Sequence, residues 1–374
     1  MPYLASRNKR DVRAPGAAMD RLTEQAGREG HEAGDDLDRV GRRYLFCLLG
    51  LMAAMLGGLC LSLAAQGGDH FSAISRVDDH AWYRNFGGDR VTEIQDQDLF
   101  YHGIGRSIEH ARQADIIILG SSLVSFAVDQ AVMREQLEQR YGLKFYNMAF
   151  VGVASGEFAR QIALKHHVHP RLWVLNADDG GGGGNFFHRN LTRAFGADVR
   201  PIPSTKLSRY GATYEIIRRN LRWRVEDATR HARDALAGPL PRFDRDDRTG
   251  AADMSAFPRF LADRNPTVKM TRDPDCHTTP DIVANAREFV QSLGAPVILT
   301  FVPNFHGCVT QVREIAAAIG VETALPPRTD YSSWDGGGHL DARGAADFTR
   351  DLVAALKTTR AFQDLSANGD RRQP

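Results

Sequence analysis

Residues whose types could do chemistry gather at two places far apart in this 374-residue chain. The first is Asp115-Ile116-Ile117-Ile118-Leu119-Gly120-Ser121-Ser122, an apolar run ending in a glycine turn that carries two hydroxyls. The second is Trp334-Asp335-Gly336-Gly337-Gly338-His339-Leu340, which puts an imidazole and a carboxylate in one short loop. A serine hydroxyl is a poor nucleophile until a base takes its proton, and a histidine held by a carboxylate is suited to that task. The combination predicts acyl chemistry at a serine, with His339 as the proton shuttle and Asp335 fixing its tautomer, Asp330 being the alternative orienter. Against this stands the plain reading in which the serines only form a turn and His339 only lines the start of a helix.

Position within the fold decides between these readings. A short run of isoleucine and leucine is the mark of a strand covered on both faces, and reactive groups of open α/β sheets collect at the carboxyl ends of such strands. The pattern predicts a parallel sheet with helical crossovers. Its expected strands are Ile116 to Leu119, Lys144 to Met148, Leu172 to Leu175 and Val297 to Phe301. Helices are expected at Asp129 to Tyr141, Ser155 to His166, Pro280 to Ser292, Val309 to Ile319 and Ala342 to Lys357, with one more from about Asp98 to Arg112 leading into the first strand. Residues 186–276 interrupt the pattern without a clear strand signal and contain a predicted helix from Tyr214 to Leu236. Its Arg218, Arg219, Arg222, Trp223 and Arg224 suit either an anionic partner or a solvated face.

Tyr44 to Ala65 carries no charge and is rich in Leu, Ala, Met and Gly. As a helix it would reach roughly 33 Å, against a hydrocarbon core of about 30 Å. Arg39, Arg42 and Arg43 precede it and the next cation is Arg76, so the expectation is one membrane span with the amino terminus cytoplasmic and the bulk of the chain outside. A cleavable leader ending near Ser62-Leu63-Ala64 is the rival. The expected organisation is a disordered tail over 1–43, the span over 44–65, a linker and lead-in over 66–110, an α/β domain over 111–360 with its insertion at 186–276, and a disordered tail over 361–374. A net charge of +1 gives no reason to expect a nucleic-acid partner.

Cys47 and Cys60 fall within the apolar span, roughly 20 Å apart along a helix and too distant to bridge. Cys276 and Cys308 fall on either side of a helix-strand unit, both at the carboxyl edge of the sheet, where a disulfide is expected and two buried thiols are the alternative. His166-His167-Val168-His169 offers three imidazoles, but between a helix end and a strand they rarely converge on one ion, so no metal is expected. Neither is an organic cofactor: Gly180 to Gly184 lack the Gly-Lys-Ser/Thr ending of a phosphate loop and read as a rim loop.

Together these segments resemble the SGNH (GDSL-like) hydrolase superfamily, especially membrane-anchored bacterial branches near the alginate O-acetyltransferase and D-alanyl-lipoteichoic-acid transfer proteins. The resemblance runs from Ile116 to Ala355 without the insertion. It implies a three-layer, flavodoxin-like α/β domain with Ser122 as nucleophile, and an oxyanion site built from the Ser122 amide and the Gly152 amide of Asn147-Met148-Ala149-Phe150-Val151-Gly152. The third block of that superfamily reads Gly-x-Asn-Asp, and here Asn176-Ala177-Asp178-Asp179 puts Asp178 where the donor asparagine belongs. An ionised carboxylate cannot donate to an oxyanion. Asn176 or Asn185 would have to substitute through a shifted loop. The family's Asp-x-x-His becomes Asp335-x-x-x-His339, with one extra glycine.

The resemblance implies a membrane-anchored periplasmic esterase or O-acyltransferase of the bacterial inner membrane, acting on an acylated cell-envelope or exported polysaccharide. A multi-span membrane acyltransferase is the partner it implies. The alternative is an SGNH-like scaffolding subunit that has lost its chemistry, which Asp178 and the extra glycine favour. A tethered lipase or thioesterase is a third reading, disfavoured by the arginine-rich insertion.

Overall fold

The structure, a computed structural model, describes residues 41–56, 76–77, 80–86, 96–150, 156–181, 184–185, 187, 209–219, 243–253, 277–305, 307–335 and 337–369. The chain divides into two units, residues 1–68 and 69–374. In the first, residues 41–56 are helical and exposed, with Cys47 a free thiol. Among the described residues no helix is long and apolar enough to cross a membrane. The expected span continues into residues 57–65, which lie outside the described residues, as do residues 1–40.

The second unit is an α/β fold around a five-stranded parallel sheet. Its strands are β3 (Ile116–Leu119), β4 (Phe145–Asn147), β5 (Leu172–Asn176), β10 (Val297–Thr300) and β11 (Glu322–Thr323). They lie side by side as β11-β10-β5-β3-β4, which in chain order is the 2-1-3-4-5 arrangement of a doubly wound sheet. β3 and β5 are buried along their whole length, which is why they are continuous apolar runs rather than alternating ones. Two separate apolar cores result. Ile117, Leu119, Trp173, Leu175 and Leu299 point into one, and Ile116, Ile118, Leu172, Val174 and Ile298 into the other.

The helices that frame this sheet include, among the described residues, α1 (Asp96–His102), α2 (Ser107–Gln113), α3 (Ser122–Ala127), α4 (Gln130–Met133), α5 (Gln139–Tyr141), α6 (Gly156–Lys165), α7 (Pro280–Leu293), α8 (Val309–Ile319), α9 (Ala342–Lys357) and α10 (Arg360–Gly369). Their ends follow the sequence signals. α7 starts on a Thr279 cap that accepts from the Ile282 N–H and stops at Gly294 in the left-handed region. A π turn, Arg134–Glu138, joins α4 to α5 within what the sequence presents as one helix.

Four features differ from expectation. The lead-in helix is broken into α1 and α2 because Gly103 and Gly105 adopt φ of 59° and 73°, which no interior helical residue takes. The linker is structured: β1 (Arg76–Val77), β2 (His80–Phe86), α1 and α2 fall within or begin in residues 66–110, and Leu99 and Phe100 are fully buried. The insertion does supply strands, β8 (Phe243–Asp246) and β9 (Ala252–Asp253), which complete a four-stranded antiparallel sheet in the order β1-β2-β8-β9. Finally, residues 360–369 form a helix where the sequence suggests a disordered tail, because Phe362 and Leu365 join the core beneath it. Of the predicted insertion helix, residues 209–219 are described as helical, with Arg218 and Arg219 pairing with Glu215. Residues 220–242, including Arg222, Trp223 and Arg224, lie outside the described residues.

A buried arginine ties the small sheet both to α1 and to the large sheet. Arg245 on β8 donates to Asp96 on α1 at 2.5 Å, both side chains being 1% exposed. The same guanidinium donates to the Asn147 carbonyl at 2.6 Å and the Gly250 carbonyl at 2.8 Å, so its donors are matched by acceptors from three segments. A Cβ at Gly250 would come within 1.9 Å of the Asn147 oxygen, so only glycine lets this turn close on the end of β4.

Candidate active site

Ser122 opens α3 immediately past the carboxyl end of β3. β3 lies between β4 and β5, so this is the point where the strand order reverses and a crevice opens in a doubly wound sheet. Ser121 caps the helix, its Oγ accepting from the Leu123 N–H at 3.3 Å, which leaves Ser122 as the hydroxyl that faces outward. Gly120 makes the sharp entry possible. A Cβ there would lie 2.3 Å from Val124 and 3.2 Å from Asn176.

Residues 332–341 deliver the partner groups as a narrow loop. Ser333 and Leu340 form an antiparallel bridge, the Trp334 N–H donates to the His339 carbonyl at 3.1 Å, and the Asp341 N–H donates to the Ser332 carbonyl at 3.2 Å. Asp341 then caps α9 through the Gly344 N–H and accepts from the Ser332 hydroxyl. Gly344 has no room for a Cβ, which would meet the Ser332 carbonyl at 1.9 Å, so α9 presses directly on the loop. Gly338 has φ of 129° and sits against Asn304, while the Phe305 N–H donates to the Gly337 carbonyl at 2.9 Å.

The two segments meet. Ser122 Oγ lies 2.9 Å from His339 Nε2, across 217 residues of sequence. His339 Nδ1 lies 2.5 Å from Asp335 Oδ2. The carboxylate accepts the Nδ1–H, so the lone pair of Nε2 faces the serine hydroxyl, the tautomer a general base requires. The extra glycine in Asp335-x-x-x-His339 is absorbed by the turn itself: Asp335 Oδ1 accepts from the N–H groups of Gly337, Gly338 and His339 at 2.7, 3.1 and 3.2 Å. Ser333 Oγ also lies 2.9 Å from this oxygen. Burial alone would raise the Asp335 carboxyl, but the hydrogen bond and charge of His339, with those from Gly337 and Ser333, hold it at about 2. Asp335, rather than Asp330, orients the imidazole.

Two aromatic side chains that sequence reasoning left without a role complete the arrangement. The Trp334 indole stacks on the His339 ring, centroids 5.2 Å apart and planes 16° from parallel. Phe126, from the same short helix as Ser122, meets that ring edge-on at 5.1 Å and the indole at 5.8 Å. The adjacency of Trp334 to Asp335 was the available sequence signal. Nothing local marked Phe126.

As the first residue of α3, Ser122 has an N–H with no intrahelical carbonyl to reach. Gly152 lies outside the described residues, although the segment before it is anchored where Asn147 Oδ1 accepts from the Ala149 N–H at 3.0 Å. Asn176 ends β5 fully buried, and its Oδ1 accepts from the Val302 N–H at 2.8 Å, tying the ends of β5 and β10 together. Asp178 and Asn185 lie opposite one another in the two-stranded ribbon formed by Asp178–Gly181 (β6) and Gly184–Asn185 (β7). Cys308 is disulfide-bonded and caps α8. Cys276 lies outside the described residues, but the next residue, His277, contacts α8 through Glu314 at 2.7 Å and Gln311 at 2.9 Å. Among the described residues no cluster could hold a metal ion; His166 instead contacts the Tyr101 carbonyl at 3.2 Å.

Comparison with known proteins returned no match: no family model, curated protein or solved structure matches the chain. The fold and the site therefore define its class on their own, as an α/β protein with a hydrogen-bonded Ser-His-Asp array at the crevice edge of a parallel sheet.

Proposed function

We propose that this chain is a membrane-anchored serine acyl-ester enzyme of the SGNH type, an esterase or O-acyltransferase acting on a cell-envelope or exported polysaccharide. The observation that carries the reading is the continuous Ser122–His339–Asp335 hydrogen-bond chain at the crevice edge of the sheet. Ser122 Oγ attacks the acyl carbonyl carbon as Nε2 of His339 takes its proton. The tetrahedral oxyanion is held by the Ser122 N–H, with Gly152 as the second donor, each such donor being worth about 3 kcal/mol. Collapse breaks the ester C–O bond, and the leaving sugar oxygen takes the proton back from His339. Water or a glycan hydroxyl then receives the acyl group by the reverse sequence. His339 and Asp335 side chains are 27% and 26% exposed, which leaves the array open to a bulky substrate.

The polysaccharide substrate, the multi-span acyltransferase partner and the placement outside a bacterial inner membrane rest on the sequence resemblance and on the apolar segment from Tyr44 to Ala65. The scaffolding alternative draws on Asp178 at the donor asparagine's place. A fully hydrogen-bonded array counts against it. The deciding experiment is labelling of the purified chain with a serine-reactive phosphonate and mapping of the adduct by mass spectrometry. An adduct on Ser122, lost in Ser122→Ala and His339→Ala, is expected; a folded protein that takes no label would overturn the enzyme reading.

A further inference from the structure

Every hydroxyl-imidazole-carboxylate array faces a mechanical problem: the imidazole must hold two hydrogen bonds in line at once while its charge changes. Asp335 fixes one edge of the His339 ring through Nδ1, and the loop fixes its backbone, with the His339 N–H on Asp335 and its carbonyl accepting from the Trp334 N–H. Neither set of contacts stops the ring from tilting about the Nδ1 hydrogen bond. The faces of the ring must be held by something else. The stacked Trp334 indole covers one face, and Phe126 closes in on the ring while also touching the indole, so that three rings form one contact group. Phe126 is 5% exposed and belongs to the helix that starts with Ser122, which couples the ring's orientation to the nucleophile's own element.

We infer that Trp334 is a positioning residue: its stacked indole holds the plane of His339 so that Nε2 stays aimed at Ser122, and its π face stabilises the imidazolium formed when Ser122 gives up its proton. Aromatic faces attract cations, and the attraction exists only in the protonated state of the ring, so the stack favours the charged intermediate over the neutral resting form. Among the described residues, the polar side chains hydrogen-bonded to the ring are Asp335 from its own loop and Ser122 from α3, of which Asp335 carries the charge. A carboxylate in the plane of the ring and an indole against its face therefore act on the same protonation step from perpendicular directions. This deepens the acyl-transfer reading of the site and rests on it.

The test compares Trp334→Leu, which keeps apolar bulk and the backbone hydrogen bond, with Trp334→Phe, which keeps a stacking ring. Two readouts are taken on the purified full chain. The first is hydrolysis of p-nitrophenyl acetate across pH. The leucine variant is expected to lose about tenfold to a hundredfold in kcat with KM changed by less than about twofold, and its acid limb is expected to move down by about half a pH unit. The phenylalanine variant should recover most of both. The second is independent of turnover: the far-downfield proton resonance of the Nδ1–H between His339 and Asp335, which should broaden or vanish in the leucine variant and persist in the phenylalanine variant. A leucine variant matching the parent in both readouts overturns the inference. So does equal loss in both variants, which would mean that only the indole's bulk matters. If the parent hydrolyses no ester and takes no phosphonate, the acyl-transfer reading fails, while the resonance still judges whether Trp334 orients His339.

Discussion

Two half-buried carboxylates, Asp335 in the active-site loop and Asp98 on α1, are driven to opposite ends of the carboxylate range. Burial opposes ionisation in both. Around Asp335 three backbone N–H groups, a hydroxyl and the His339 imidazole converge on the two oxygens, and the group is held at about 2. Around Asp98 burial prevails, eased only by the charge of Arg219, and the group is pushed up to about 6. Its Oδ1 is buried with no hydrogen-bond partner among the described residues. Depth is thus not what separates a working carboxylate from a burdened one. The number of donors within reach is.

The largest effect expected from disturbing that contrast is on turnover. Asp335→Asn keeps an Oδ1 acceptor for the Gly337, Gly338 and His339 amides, so the loop should stand, but it can present an NH2 donor to Nδ1. That forces the wrong imidazole tautomer, and kcat for an acetyl ester should fall by about ten-thousandfold. A variant that kept even a tenth of the parent rate would mean that Asp335 does not orient the base. Because the Asp335 carboxyl is depressed in the folded state, its contribution to stability is present above about pH 4 and is lost as pH falls towards about 2. Urea midpoints for the parent should fall across that window, and deletion of the carboxylate in Asp335→Ala should flatten the fall.

Asp96, two residues before Asp98 on the same helix, supplies the intermediate case. Its side chain is only 1% exposed, yet Arg245 answers it directly at 2.5 Å. Removing the cation alone, in Arg245→Met, should cost about 3–5 kcal/mol of stability, because it takes the countercharge from a buried carboxylate and the guanidinium donor from the Asn147 and Gly250 carbonyls. Replacing both partners, Asp96→Leu with Arg245→Met, should recover a substantial part of that loss in the same urea titration. Because Asn147 lies in the segment leading to Gly152, the single variant should also slow ester hydrolysis, whereas a purely remote staple would leave it unchanged.

How much of this could be read from the sequence depended on whether the controlling interaction was local. Four of the five parallel strands and the bounds of α8 and α9 followed from apolar periodicity, whereas β11, only Glu322–Thr323, is too short to carry such a signal. The pairing of Ser122 with His339 was legible too, since a strand-turn serine and an Asp-His loop each carry their own signature. The small sheet was not. β2 and β8 read His80-Ala81-Trp82-Tyr83-Arg84-Asn85-Phe86 and Phe243-Asp244-Arg245-Asp246, strands whose charges look solvated until Asp96 arrives to neutralise Arg245. Likewise α10 folds because Phe362 and Leu365 find a core that the rest of the chain has built, and the stack of Trp334 on His339 exists only once the loop has closed.

The smallest predicted effect returns to Asp98. A carboxyl whose folded value is raised binds a proton in the native state that the unfolded chain has already released, so stability declines as pH rises from about 4 to about 6 and the deficit persists above it. Asp98→Asn removes the ionisable group while keeping its size, and should therefore raise the melting temperature at pH 8 by about 2 °C or more and leave it nearly unchanged at pH 4. Arg219→Gln should act in the other direction at pH 8, since the guanidinium is the charge that partly offsets burial at Asp98. If both variants shift melting equally at pH 4 and pH 8, ionisation of Asp98 is not what couples them, and the contrast with Asp335 would reduce to packing.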